Sequence, residues 1–159
     1  MTESDTIRIA EADDVEACVQ LAEARRALYE TFEPRFWRRA ENAAEMSRLW
    51  FAHLFAKAEV LALVAELEGE VRGFLIAQST PSPPVYDPGG RTALIDDFVV
   101  EQGRWMTLGA QLLIEARQRL RAAGYAQIVV VGARQDEDKT GLLEATDLSL
   151  ASTWWTAAT

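Results

Sequence analysis

The sequence contains very little cysteine. Cys18 is the single cysteine in 159 residues, so no disulfide can form within the chain, and a reducing compartment is expected. Cys18 lies among apolar positions of a predicted helix. That setting favours a buried hydrophobic side chain over a reactive nucleophile.

Positive charge is also scarce. Sixteen lysines and arginines stand against 25 acidic residues, and the formal net charge is -9. Nucleic-acid binding is therefore not expected, because it depends on cationic groups that displace counterions from phosphates. An acidic surface suits a cationic small molecule better, although acidity that serves solubility alone is the simpler explanation.

Long apolar runs are missing. No stretch approaches the roughly 20 residues of a membrane-spanning helix, and the opening segment MTESDTIRIAEADD has neither the basic nor the apolar region of a signal peptide. We therefore expect a cytoplasmic protein with no membrane partner. With 49% hydrophobic and 26% charged residues, the chain has the composition of a folded domain. Its length fits a single domain over residues 1–159.

What is present is a succession of strand and helix patterns. Period-two alternation and β-branched runs predict strands at 6–12, 59–69, 70–80, 91–100, 123–133 and 148–158. Helical spacing predicts helices at 13–32, at 34–55 with Pro34 in the first turn, from the turn after Val100 to about Ala123, and at 136–148.

The order of these elements predicts a mixed α/β fold. Glu68-Gly69 indicates a hairpin between the second and third strands, and the segment STPSPPVYDPGG is a loop by composition. Residues 93–131 form a central parallel βαβ unit, whereas the rest of the sheet is antiparallel. The fully apolar strand at 123–133 is of the kind buried on both faces.

The segment VVEQGRWMTLGAQLL, Val99 to Leu113, passes from strand to helix through a short turn. The first N–H groups of such a helix lack partners within it, and together with the helix dipole they suit an anion such as a phosphate. Gly109 has no Cβ to block an approaching ligand, and Arg104 adds a permanent charge. These features together suit a pyrophosphate. An ordinary crossover helix with a solvated first turn is the alternative.

This segment and the element order resemble the GNAT superfamily of N-acetyltransferases, in which a strand ending in V-x-P-x-x leads into R/Q-x-x-G-x-G/A and a helix. Arg104 matches the Arg of the motif, Gly109 matches its second Gly, and Thr107 stands in place of the first Gly. The resemblance implies that acetyl-CoA is the co-substrate. Its pantetheine arm would pair with the backbone of Phe98, Val99 and Val100, and its pyrophosphate would lie on the turn formed by Arg104, Trp105, Met106, Thr107, Leu108, Gly109 and Ala110.

The resemblance is weaker toward the end of the chain. The L-Y-x-x-x-G-F motif of the family, whose Tyr protonates the departing thiolate, aligns with a segment in which Leu143 takes the Tyr position. Tyr86 and Tyr125 are the alternative acids, and a bound water is a third option because a free thiol has a pKa near 8.5. An Asn that touches the cofactor in the family corresponds to Asp136.

Two adjacent carboxylates, Asp96 and Asp97, are the candidate catalytic bases for removing a proton from an amine. Side chains alternate along a strand, so the two point to opposite faces and cannot form a carboxylate pair or a shared metal site. The alternation predicts that Asp97 shares a face with Ile95 and Val99, and Asp96 with Phe98 and Val100. Which of them faces the site stays open.

The acceptor pocket is expected between the first two helices and the loop that carries Tyr86. Tyr29, Glu33 and Trp37 lie at the junction of those helices. An aromatic wall beside a carboxylate suits a cationic amine, although core packing also explains several of these side chains.

Three functional hypotheses follow. The first is an acetyl-CoA-dependent N-acetyltransferase for a primary amine of a small molecule or peptide. The second, which Thr107 and Leu143 favour, is a catalytically degenerate acyl-CoA-binding or regulatory module. The third is an interaction domain that uses Trp154 and Trp155 on an exposed edge strand, with one ring facing in and the other at a homodimer interface.

Overall fold

Five strands form one mixed sheet in the computed structural model, which describes residues 5–159. The strands lie in the order β1-β2-β3-β4-β5, with the first four antiparallel to one another and β5 parallel to β4. Their bounds are β1 Asp5–Ile9, β2 Leu61–Leu67, β3 Glu70–Thr80, β4 Arg91–Val100 and β5 Tyr125–Val130. The helices are α1 Val15–Phe32, α2 Ala43–Phe55, α3 Ala110–Ala122 and α4 Glu137–Ala145, with short helical turns at Ala12–Asp14 and Trp105–Gly109. The mixed α/β class and the parallel β4–α3–β5 unit are therefore confirmed.

The hairpin between β2 and β3 forms at the predicted residues. Glu68 has a φ of 53° and Gly69 a φ of 82°, so both central residues are left-handed, as a type I′ turn requires. This turn matches the twist of the two strands it joins. It fixes the pairing of the central strands of the sheet.

Each face of the sheet has its own apolar core. One face packs against α3 and α4, and Phe98, Leu112 and Leu142 are buried there. The other packs against α1 and α2 through residues such as Phe51 and Phe74. Helix α3 and the turn before it present a four-residue apolar repeat to the α3 side of the sheet, because Leu108, Leu112, Ala116 and Leu120 are all buried.

A β-bulge interrupts the alternation of β4. Leu75 lies opposite Phe98 and Ala77 lies opposite Ile95, so β4 has one more residue than β3 in this interval. Ile95 and Phe98 consequently belong to the same core, whereas Val99 belongs to the opposite one. The predicted shared face of Ile95 and Val99 was therefore wrong, because a period-two pattern does not reveal an inserted residue.

The second helix begins later than predicted. Residues 33–42 form turns, and α2 starts at Ala43 instead of near Pro34. A helix from Pro34 would bond the main-chain N–H of Arg39 to the carbonyl of Arg35, but that N–H donates instead to the side chain of Glu30 at 3.3 Å. This side-chain bond competes with the continuation of a helix beyond its first turn.

The predicted last strand does not form. Residues 146–159 have no helix or strand, and Trp154 and Trp155 are 85% and 89% exposed, so neither ring faces inward. No described strand pairs with the outer edge of β5. Val129 is consequently exposed, and the prediction of a strand buried on both faces was wrong. Alternation shows which segments could pair, but it does not show that a partner lies alongside.

Within residues 5–159, no helix combines the length and the apolar character that crossing a bilayer demands.

Two glycines give a matched test of the packing between the strands and α3. A Cβ on Gly73 would lie 2.7 Å from Cγ1 of Val100, whereas a Cβ on Gly141 in α4 would meet nothing within 4 Å. We expect Gly73→Ala to lower the free energy of unfolding by about 1–3 kcal/mol, since the stiff Val100 side chain must move. Gly141→Ala should raise it by up to about 1 kcal/mol through helix propensity. Urea unfolding of both variants checks this, and an unchanged Gly73→Ala midpoint would contradict the described packing.

Candidate active site

The strands β4 and β5 separate before β4 ends. Their pairing stops at Ile95 and Val130, apart from one further bond from the N–H of Val131 to the carbonyl of Ile95 at 3.0 Å. Strand β4 nevertheless continues to Val100. We call the opening between residues 96–100 of β4 and residues 131–133 after β5 the notch.

Main-chain groups of alternate β4 residues face the notch. The N–H of Glu101 donates to the carbonyl of Arg72 at 2.8 Å, on the β3 side. Because consecutive residues direct their main-chain groups to opposite edges, those of Val99 also point toward β3, and those of Phe98 and Val100 point toward the notch. Of the three residues predicted to pair with a pantetheine arm, Phe98 and Val100 thus turn their main-chain groups toward the notch and Val99 does not.

A buried lysine bridges the two sides of the notch. Nζ of Lys139, in α4, donates to the carbonyl of Phe98 at 3.2 Å and to the carbonyl of Val131 at 2.8 Å. The same Nζ lies 5.5 Å from the centroid of the Phe98 ring and 5.6 Å from that of Trp105. Lys139 is only 1% exposed. It was not among the residues predicted from the sequence.

The environment of Lys139 lowers the pKa of its amine to about 7. Burial is the largest cause, and the positive charge of Arg25 adds to it, while Asp136, Asp96 and Asp97 act in the opposite direction. A substantial fraction of this amine is therefore neutral near physiological pH, in contrast to an ordinary exposed lysine.

Arg25 of α1 holds the bulged part of β4. It pairs with Oδ1 of Asp97 at 2.9 Å and also donates to the carbonyl of Asp96 at 3.2 Å. Asp97 is thus the carboxylate that faces α1, and its charge is balanced by the guanidinium. The side chain of Asp96 is exposed and has no ion pair within the described chain.

Tyr29 was predicted as an acceptor contact and Asp136 as a cofactor contact, and the two form a hydrogen bond with each other. The Tyr29 hydroxyl donates to Oδ2 of Asp136 at 2.8 Å and accepts from the N–H of Ala133 at 3.3 Å. Asp136 also caps α4, because its Oδ1 accepts from the N–H of Lys139 at 3.3 Å. Burial, followed by the charge of Asp136, raises the pKa of Tyr29, so this phenol stays protonated in the physiological range.

The turn into α3 is a wide π-type turn. The carbonyl of Arg104 accepts from the N–H groups of Thr107 and Gly109 at 3.3 and 3.1 Å, and the Thr107 hydroxyl donates to it as well. Met106 and Thr107 are exposed, whereas Trp105 and Leu108 are buried. Arg104 is partly exposed, with its Nε 3.7 Å from a carboxylate oxygen of Glu101.

Gly109 is needed for packing within the protein. A Cβ at this position would lie 3.0 Å from Cε3 of Trp105 and 3.0 Å from Cδ2 of Leu142. The absent side chain therefore makes room for the protein's own core. From the sequence, a side chain at Gly109 was expected to block a ligand. That reason was wrong, because a Cβ here would meet Trp105 and Leu142 instead.

Of the predicted acceptor residues, Tyr29 and Trp37 are in contact with each other. The Trp37 ring packs edge-on against Tyr29 at a centroid distance of 5.0 Å, but Tyr86 is 73% exposed in the loop before β4, and the Glu33 carboxylate accepts from the N–H of Arg35. A cavity of about 430 Å³ does lie beside α1 and the segment before α2. Its lining consists of Glu23, Glu30, Arg39, Ala40, Glu41, Ala43 and Ala44, which are different residues from those predicted.

The remaining candidate residues contact other parts of the protein itself. Leu143 is half-buried against the apolar core on the α3 side of the sheet. The guanidinium carbon of Arg91 lies over the Tyr125 ring, 4.0 Å from its centroid. Cys18 is fully buried, which raises the pKa of its thiol to about 12, so the prediction of a buried hydrophobic role is confirmed. Only a weak signal in the sequence could have revealed Lys139. This residue precedes Leu142 by about one helical turn, so it shares the face of α4 on which Leu142 is buried.

No family model and no curated protein matches the sequence. Solved structures do match it over nearly the whole chain. A transcriptional regulator from Bacillus halodurans C-125 has a TM-score of 0.72 at 21% identity, covering 98% of this chain and 100% of its own. A predicted acetyltransferase with acetyl-CoA from Clostridium acetobutylicum has a TM-score of 0.71 at 16% identity, covering 98% and 96%.

An aminoglycoside N-acetyltransferase in complex with CoA has a TM-score of 0.68 at 11% identity, with coverage of 100% of this chain and 97% of its own. At these identities the likeness is one of fold. The chain has the fold of GNAT-type acetyltransferases, as the sequence resemblance implied.

The buried amine of Lys139 predicts a specific dependence of stability on pH. Its pKa is about 7 in the folded protein and near 10.4 in an unfolded chain, so between these values the unfolded state binds a proton that the folded state lacks. The free energy of unfolding therefore rises with pH in that window, by about 2 kcal/mol between pH 7 and pH 9. Lys139→Met removes this contribution.

Urea titrations of the wild-type protein and Lys139→Met at several pH values measure it. The difference between the two should change in favour of the wild type as the pH rises, since all other titrating groups are shared. A difference that is constant with pH would mean that Lys139 is an ordinary cation in the folded state.

Proposed function

We propose that the protein is an acetyl-CoA-dependent N-acetyltransferase that moves an acetyl group to a primary amine of a small molecule or peptide, by direct attack in a ternary complex. The observation that carries the proposal is the notch: in a GNAT-type fold, the edge of β4 turns main-chain groups toward an opening that ends at the start of α3. Ligands of sheets with parallel strands bind at such separated carboxyl ends.

The main chain supplies the binding groups for acetyl-CoA in this proposal. The backbone of Phe98 and Val100 fits the amides of a pantetheine arm, and the turn at 104–110 with the charge of Arg104 fits a pyrophosphate. The Phe98 carbonyl already accepts a hydrogen bond from Lys139. It has a second lone pair, so it can be shared with the pantetheine arm.

Asp96 is the better placed of the two candidate bases. Asp97 is neutralised by Arg25 at 2.9 Å, whereas the exposed Asp96 carboxylate can attract an ammonium group and accept its proton through a water molecule. Tyr29 and Trp37, with Glu33 and Tyr86, stay as the proposed acceptor contacts. Since Leu143 has no proton to give, water serves as the acid for the departing thiolate, whose conjugate thiol has a pKa near 8.5.

The alternative is an acyl-CoA-binding or regulatory module without catalysis. Leu143 at the position of the family's Tyr favours it, and so does the Lys139 amine bonded to the Phe98 carbonyl. Both proposals require the same ligand to bind. They differ in whether a thiol is released.

Calorimetric titration with coenzyme A, followed by a thiol-release assay with acetyl-CoA and a panel of amines, tests the proposal. The panel includes aminoglycosides, polyamines and peptides with free amino termini. Binding with thiol release that depends on an added amine is the expected result. Binding without release from any amine supports the module, and no binding contradicts both readings.

Arg104→Ala is expected to weaken binding of coenzyme A about tenfold, because one charge-assisted contact to a phosphate is lost. The same substitution should leave the affinity for acetyl-pantetheine unchanged, since that ligand has no pyrophosphate. Calorimetry with the two ligands gives the comparison. Equal losses for both would show that the substitution acts through the fold and not through the phosphates.

A further inference from the structure

Lys139 combines properties that a structural cation does not require. Only two of the 16 lysine and arginine residues are lysines, Lys57 and Lys139, and Lys139 is the one buried in the notch. A permanent cation that only bridges carbonyl groups could be an arginine, which stays charged at every relevant pH. A lysine differs because its amine can lose a proton and then has a nucleophilic lone pair.

The amine lies where the acyl end of the co-substrate is proposed to bind. Its Nζ is 3.2 Å from the carbonyl of Phe98, a group that the proposed function assigns to the pantetheine arm. On the other side of the notch it is 2.8 Å from the carbonyl of Val131. An acyl donor bound along the β4 edge therefore lies beside this amine.

The surroundings of the amine suit an acetyl group as well as a cation. The rings of Phe98 and Trp105 pack at a centroid distance of 5.0 Å and both face Nζ. They offer an apolar surface for a methyl group. Two carbonyl oxygens accept from Nζ at present, and an acetylated nitrogen would retain one N–H for one of them.

Lys139 is also partly neutral at physiological pH. Four charged groups of the neighbouring elements act on its charge: Arg25 of α1, Asp96 and Asp97 of β4, and Asp136 at the start of α4. With burial, their combined effect brings the pKa of the amine to about 7. An exposed lysine is almost entirely protonated at this pH and reacts far more slowly.

We propose that Lys139 is a self-acetylation site, at which the protein transfers the acetyl group of a bound acetyl thioester to its own buried amine. The inference rests on the proposed function, because the donor must bind in the notch. The neutral Nζ attacks the thioester carbonyl carbon, a C–N bond forms and the C–S bond breaks. The electron pair leaves with sulfur, and the thiolate takes up the proton that Nζ loses, which gives free coenzyme A and acetyl-lysine.

Self-acetylation would change the notch. It removes the positive charge from a cluster that contains three carboxylates, and it breaks one of the two hydrogen bonds that connect α4 to the ends of β4 and β5. The product is a stable amide. Acetyl-lysine at this position is therefore a stable modification of the protein and not an intermediate that passes the acetyl group to another acceptor.

Isotope-labelled acetyl-CoA with mass spectrometry tests this directly. Native protein is incubated with the labelled donor, and the label is located by peptide mapping, so that acetyl groups acquired during expression are distinguished. Lys57→Arg leaves Lys139 as the only lysine, and Lys139→Arg leaves only Lys57. We expect label at residue 139 in the wild type and in Lys57→Arg, and its complete loss in Lys139→Arg.

Calorimetry with coenzyme A on the same samples distinguishes a failure of self-acetylation from a failure of the proposed function. Binding without label at Lys139 overturns self-acetylation and leaves the proposed function intact, whereas no binding overturns both. Label that accumulates at Lys57 as fast as at Lys139 marks unselective chemical acetylation and also overturns the inference. If Lys139→Arg does not fold, the position of the label in Lys57→Arg still decides the question.

Discussion

Where β4 and β5 cease to pair, the Lys139 amine connects the carbonyls of Phe98 and Val131. A sheet would ordinarily satisfy such carbonyls with a neighbouring strand, and leaving them buried without partners is costly. The lysine satisfies both carbonyls with one side chain, at a point where no strand pairing reaches them. The position of α4, which carries that lysine, is fixed in turn by the cap at Asp136 and by Tyr29 of α1. The candidate site is thus held by elements from both faces of the sheet.

The parts of the fold that follow from short-range patterns could be predicted from the sequence. The left-handed turn at Glu68-Gly69, the four-residue repeat of α3 and the parallel β4–α3–β5 unit all have local signals, and all are present. The inserted residue in β4 has no such signal, since it depends on the register with β3. The late start of α2 and the absent last strand likewise depend on which tertiary partner a segment finds. A homodimer and a single domain over 1–159 stay predictions.

The sequence indicated where a candidate site would lie, and the structure forms the notch there, but the side chains around the notch were harder to predict. Its location at the end of β4 and the start of α3 followed from the turn around Arg104 and Gly109. Lys139 was missed because lysine in a short, acidic helix usually indicates a solvated surface, and nothing nearby in the chain reveals that it is buried. Gly109 illustrates a different limit. From the sequence, the absence of a side chain at this position was attributed to the approach of a ligand. The close packing of Trp105 and Leu142 accounts for it instead. A fold of this type hosts more than one function, so the proposed function depends on the main-chain groups that face the notch and not on the fold alone.

Hydrogen–deuterium exchange with and without coenzyme A tests the central claim, that the β4 edge and the turn into α3 hold an acyl carrier. The account predicts new protection confined to the amides of Phe98 and Val100, whose main-chain groups face the notch, and to amides of the turn at 104–110. Protection that appears elsewhere, for example around the cavity beside α1, or no protection at saturating ligand, would contradict it.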